Sequence, residues 1–135
     1  MALDWSERLM STGLLEVDNQ HKELIKKLNQ LFAALDSGVP DAEVKSMLKF
    51  LGEYATWHFG SEENCMAKHQ CPAAEANKKA HATFLEVFSG ISSRVEAEGV
   101  TTALAIETQQ EVSNWIRNHI IRIDTKLRPC VAAAS

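Results

Sequence analysis

Apolar positions recur at three- and four-residue spacing through most of the chain, the period of amphipathic helices rather than the alternation of strands. Leu24, Ile25, Leu28, Leu31, Phe32 and Leu35 form a first stripe that stops at Ser37 and Gly38, with Asp18 placed to cap its start. Pro40 and Asp41 open a second stripe, Val44, Met47, Leu48, Leu51 and Ala55, which continues through positions 58, 62 and 65 toward Cys71 and Pro72. The third runs Asn77, His81, Phe84, Leu85, Phe88, Ile91 and Val95 and ends near Glu98 and Gly99. Thr101 and Thr102 cap a fourth, in which Leu104, Val112, Trp115, Ile116, His119, Ile120, Ile123 and Leu127 face inward until Arg128 and Pro129 stop it. Helices joined by such short turns pack most easily as antiparallel neighbours. The expected fold is therefore all-α, an up-down-up-down antiparallel four-helix bundle. Residues 1–18 would form an N-terminal arm carrying Trp5, and residues 128–135 a tail whose small, featureless end, 131–135, fits either a connection to a further, output domain or a frayed C-terminus.

At 135 residues the chain has the size of one domain. It contains no apolar run of the roughly 18–20 residues a membrane span needs, and its first residues lack the basic-then-apolar order of a signal peptide. A cytoplasmic protein is expected. The formal net charge of −4 offers no footprint for nucleic acid or an anionic membrane surface, so neither is an expected partner. Cys65, Cys71 and Cys130 are odd in number and form no C-x-x-C pair, a pattern that predicts reduced thiols rather than a disulfide framework.

The chemistry lies in what interrupts the stripes. His21, His58 with Glu62, His81, and His119 with Asp124 put potential metal ligands on all four helices where apolar side chains belong. A lone core histidine is usually a hydrogen-bonded structural residue, but one such group per helix is hard to reconcile with a metal-free core. A buried Glu62 carboxylate needs a cation to meet it. The four-residue spacing of His58 and Glu62 brings both to one helix face. His119 and Asp124 are five apart, about 140° around an ideal helix, which demands a π-bulge, a frayed last turn or a sideways reach toward a second ion. Mixed imidazole and carboxylate donors favour iron over a thiolate zinc site or an all-oxygen calcium site. His69 lies off the stripe near a helix C-terminus and is expected to face solvent or the helix end. Trp57 and Trp115 adjoin ligands in sequence and are expected to pack rather than relay electrons.

At these residues the sequence resembles the bacterial hemerythrin-like domains of the hemerythrin family, over nearly the whole chain. The matching pieces are V-D-N-Q-H-K-E-L around His21, W-H-F-G-S-E-E-N-C-M around His58 and Glu62, and N-W-I-R-N-H-I-I-R-I-D around His119 and Asp124. The resemblance implies two iron ions with an oxo or hydroxo bridge inside the bundle, with dioxygen as ligand. It makes Glu62 and Asp124 the bridging carboxylates, places His21 and His58 on the iron with an open position, and His81 and His119 on the other. The chain departs from the family on the third helix, where two histidines four apart are replaced by Asn77 and His81. Cys71 also stands where the family has tyrosine before the proline.

An amide is a weaker donor than imidazole, so the second iron is expected to keep exchangeable water or a small anion beside Asn77. Ile116 and Leu24 are expected to line the exogenous-ligand pocket with Asn77, ordinary core packing being their alternative. The expected function is an oxygen or redox sensor without catalytic turnover of its own, acting on an attached signalling domain such as a diguanylate cyclase. A free-standing oxygen carrier or store is the alternative, and a small diiron oxidase or peroxidase a third.

Overall fold

The computed structural model describes residues 3–134, with side chains described to Val131. The first two residues of the expected arm and the last of the expected tail, Ser135, lie outside the described residues. Helix α1 spans Glu7–Met10, α2 Leu15–Ser37, α3 Asp41–Lys68, α4 Ala74–Glu98 and α5 Thr102–Arg122. A 3₁₀ turn over Asp124–Lys126 then leads into α6, Leu127–Ala134. Helix α2 packs on α3 and α5, and α4 packs on the same two, which closes the four long helices into the expected bundle. Its core is built from the predicted stripes: Leu24, Leu28, Leu31, Phe32, Phe84, Val112, Ile116 and Ile120 are all buried in one cluster.

Four helix ends follow the sequence signals, among them the start of α3 at Asp41 after Pro40 and the end of α4 at Glu98 before Gly99. Gly38 closes α2 in the left-handed region at φ 73°, and the Thr101 hydroxyl accepts from the Leu104 amide at 3.1 Å to open α5. Other ends differ. Helix α2 starts at Leu15, one turn before the predicted cap, and Asp18 is buried inside its first turn. There its Oδ1 accepts from the Thr12 amide and hydroxyl, both at 2.8 Å, and Oδ2 accepts from Ser11. The carboxylate thus caps the incoming arm rather than its own helix, in the position favoured by the helix dipole. Helix α3 stops at Lys68, short of Pro72, in a Schellman turn: Cys71 N–H reaches Met66 C=O at 2.9 Å, Gln70 N–H reaches Ala67 C=O at 3.1 Å, and Gln70 itself takes φ 53°.

The arm is more than a leader. The Leu3 amide and carbonyl exchange a pair of 2.8 Å hydrogen bonds with the Asn29 side chain, and Met10 is fully buried in the core. Nor does Pro129 end the chain's regular structure. It sits in the first turn of α6, where its missing N–H has no helical acceptor to lose. Helix α6 folds back so that Leu127 is buried, and Arg128 donates to the Ser11 carbonyl. Among the described residues, no helix is long and apolar enough to cross a membrane.

The thiol expectation is overturned at this end of the bundle. Cys71 and Cys130, 59 residues apart, form a disulfide between the α3–α4 turn and α6, and only Cys65 is free. The fold-back of α6 creates that proximity, and the spacing of the cysteines carries no sign of it.

Candidate metal centre

All six predicted ligands converge in the bundle interior, each no more than 6% exposed. His21 comes from α2, His58 and Glu62 from α3, His81 from α4, His119 from the last turn of α5 and Asp124 from the 3₁₀ turn. The five-residue separation of His119 and Asp124 is accommodated by ending α5 at Arg122 and tightening the chain, the second of the three geometries foreseen.

The distances sort these groups into two halves around two carboxylates. His21 Nε2 lies 3.0 Å from Glu62 Oε2 and 3.1 Å from Asp124 Oδ2, and His58 Nε2 lies 3.3 Å from the same Glu62 oxygen. On the other side, His81 Nε2 is 3.2 Å from Glu62 Oε1 and His119 Nε2 is 3.0 Å from Asp124 Oδ1. Each carboxylate therefore turns one oxygen to each half. Ligating atoms of Glu62, His81, His119 and Asp124 fall within 4.8 Å of one another, as do those of His21, His58 and Glu62.

Three of the inward donor atoms have no hydrogen-bond partner. His81 Nε2, His119 Nε2 and Asp124 Oδ1 are buried without a hydrogen bond, although the last two stand only 3.0 Å apart. All three belong to groups whose ligating atoms lie within 4.8 Å of one another. Buried polar atoms left this way are costly unless a cation satisfies them. The charge balance agrees. Burial works against a charge on His21, yet hydrogen bonds to Asp124 and Glu62 push its pKa up to about 10. Burial would raise the Glu62 pKa, but His21, His58 and His81 together hold it well below the ordinary carboxylate range. A proton on the His21 imidazole thus supplies positive charge facing the buried Glu62 carboxylate, as a bound cation would.

Supporting groups fix the rings. His58 Nδ1 is 2.7 Å from Gln20 Oε1, and His81 Nδ1 is 3.0 Å from Glu63 Oε2, so each Nε2 is left to face inward. Phe59 stacks on His81 at 3.9 Å and Trp115 on His119 at 4.4 Å. Trp115 packs as expected, whereas Trp57 is exposed. Gln20 and Glu63 were not singled out from the sequence; the signal was their place beside His21 and Glu62 in polar pairs on otherwise apolar faces. Replacing Gln20 with alanine is expected to weaken iron binding by roughly 10–100-fold, the range for outer-shell partners of metal-bound histidine. Competition with a chelator measures this, and unchanged affinity would remove Gln20 as the group that orients His58.

Asn77 is fully buried one helical turn before His81. Its Nδ2 donates to Glu62 Oε1 at 2.8 Å and lies 3.3 Å from Met66 Sδ, while its Oδ1 has no hydrogen-bond partner. Leu24 and Ile116 are buried in the main core. His69 caps α3, its Nδ1 2.9 Å from the Cys65 carbonyl, as its place in the sequence suggested.

A family model described as the hemerythrin HHE cation binding domain matches residues 12–131. Bacteriohemerythrin of Pseudomonas aeruginosa strain PAO1 is 30% identical over 118 residues, covering 87% of this chain and 74% of that protein. Bacteriohemerythrin of Methylococcus capsulatus is 27% identical over 131 residues, 97% of this chain and 98% of that one. Among solved structures, a wild-type hemerythrin crystal structure aligns with a TM-score of 0.85 at 26% identity, covering 96% of this chain and 98% of its own.

Proposed function

The chain belongs to the hemerythrin family, and from that premise we propose that it is a non-heme diiron domain acting as an oxygen and redox sensor for an attached signalling output. His21 and His58, with Glu62 Oε2 and Asp124 Oδ2, would hold one iron. His81 and His119, with Glu62 Oε1 and Asp124 Oδ1, would hold the other. When bound, iron supplies affinity for dioxygen and small anions and a ferrous–ferric change. The protein's part is to exclude water, fix the imidazoles and keep the Glu62 carboxylate ionised in the core.

The observation that carries the sensor reading is Asn77. It occupies the turn where the family pattern has a further imidazole, and its amide N–H binds Glu62 instead. The second iron then lacks one strong protein donor, which favours exchangeable water or anion there and rapid oxidation in air. Leu24 and Ile116 are placed in this reading as walls of the ligand pocket. No turnover of a substrate is proposed, and the domain is assigned to the cytoplasm. A change of charge at the centre would be passed to the output through the Asp124 turn, which leads directly into α6.

A carrier or store is favoured by a different observation, the complete burial of His21 and Glu62, since a dry site preserves an oxygenated form. The visible spectrum of anaerobically reduced, iron-loaded protein, followed after adding air, separates the two. Rapid passage to a diferric spectrum is expected. A long-lived oxygenated form would overturn the sensor reading in favour of carriage.

A further inference from the structure

At the α6 end of the bundle a second, small cluster gathers Val17, Met66, Cys71 and Leu127, with Cys65 and Cys130 against it. All three cysteines of the chain are therefore at one place, immediately beyond the metal centre: Met66 touches Asn77, and Leu127 begins three residues after Asp124. We propose that the Cys71–Cys130 bond is a reversible thiol–disulfide site, opened by small-molecule thiols, that clamps α6 and the Asp124 turn to the bundle.

The two sulfurs are unequal in a way that suits exchange. Cys71 is buried, whereas Cys130 is half-buried and lines a surface cavity of about 660 Å³ with His69, Gln70, Pro72, Lys126 and Pro129. An incoming thiolate has access to the Cys130 sulfur, and the Lys126 ammonium at the rim attracts its charge. Attack there breaks the S–S bond and forms a mixed disulfide on Cys130. The leaving Cys71 sulfur, buried in the apolar cluster, takes a proton as it departs and remains as a thiol. A second thiol attacks the mixed disulfide, releasing Cys130 as a thiol and carrying both oxidising equivalents away as a small-molecule disulfide. Burial pushes the Cys65 thiol up, which keeps it protonated and out of the exchange.

Opening the bond removes the covalent tie between the α3–α4 turn and α6. Among the described residues, α6 is otherwise held by the buried Leu127, by Cys130 and Val131 against the small apolar cluster, and by the contact of Arg128 with Ser11. The test uses the full iron-loaded chain under nitrogen, with iron kept ferrous so that the metal does not change state. The protein is equilibrated in graded mixtures of reduced and oxidised glutathione, alkylated and weighed. The expected result is a transition within the glutathione range from one reactive thiol to three. Across it, amides of residues 123–131 are expected to exchange roughly tenfold faster while α2 to α4 keep their protection. A bond that stays closed in fully reduced glutathione is a structural staple and overturns the proposal, as does opening with unchanged exchange. Cys130→Ser should reproduce the fast-exchange pattern without any thiol, and the wild-type titration decides the matter even if that variant fails to fold. These readouts do not depend on how the iron reacts with oxygen.

Discussion

Glu62→Gln is expected to strip iron from both halves of the centre at once. The substitution keeps shape and leaves an amide oxygen able to accept from Asn77, so the bundle should fold and its far-ultraviolet circular dichroism should match the parent. What disappears is the charge that faces His21 and His58 through one oxygen and His81 through the other. Removing a mere outer partner of a ligand costs about 10–100-fold in metal affinity, and a group shared by two ions should exceed that at each. Iron content after desalting is therefore expected to fall by roughly tenfold or more, with both ions lost together. Glu63→Gln is the matched control, since Glu63 supports only His81 Nδ1 and should weaken only one half. A Glu62→Gln protein that retained two irons per chain would show that the carboxylate is not a ligand. One that retained a single iron would show that it does not bridge.

The site was legible because burial selects against its residues. A histidine or glutamate on an apolar stripe contradicts the surrounding pattern, and six such contradictions could be read without coordinates. Asp18 also broke a stripe, yet it belongs to the arm: a carboxylate at a helix start can serve its own helix or the chain arriving there, and periodicity does not separate the two. Pro129 misled for a related reason, since proline is equally at home just after one helix and in the first turn of the next. Gln70 carries the left-handed turn that a glycine usually announces. Cys71 and Cys130 meet only because Pro129 sits in the first turn of a helix that folds back, so an error about one local boundary concealed a covalent bond. Gln20 and Glu63 act through partners on other helices, information that resides in the packing.

Asn77→His is expected to move the protein from fast oxidation toward oxygen carriage. Asn77 and His81 are four residues apart on α4, so their side chains leave the same face one turn apart, and an imidazole at 77 points into the half served by His81 and His119. The new ring replaces an amide that donates to Glu62 Oε1, and it needs the space against which Met66 packs. Methionine is the side chain best able to yield that space, and Asn77→His combined with Met66→Ala provides it outright. With the added imidazole, the second iron of the proposed pair would lose its exchangeable position. Oxidation of the reduced protein in air is expected to slow by roughly tenfold or more, a barrier change of about 1.4 kcal/mol or more. Azide binding to the diferric protein should slow in parallel, and both rates are compared at equal iron content. If neither rate changes in the single or the double variant, the position beside Asn77 is already filled by a protein group. The unpartnered Oδ1 of Asn77 would then be the atom to examine, because it is a buried oxygen without a hydrogen-bond partner, on a side chain held beside Glu62 and Met66.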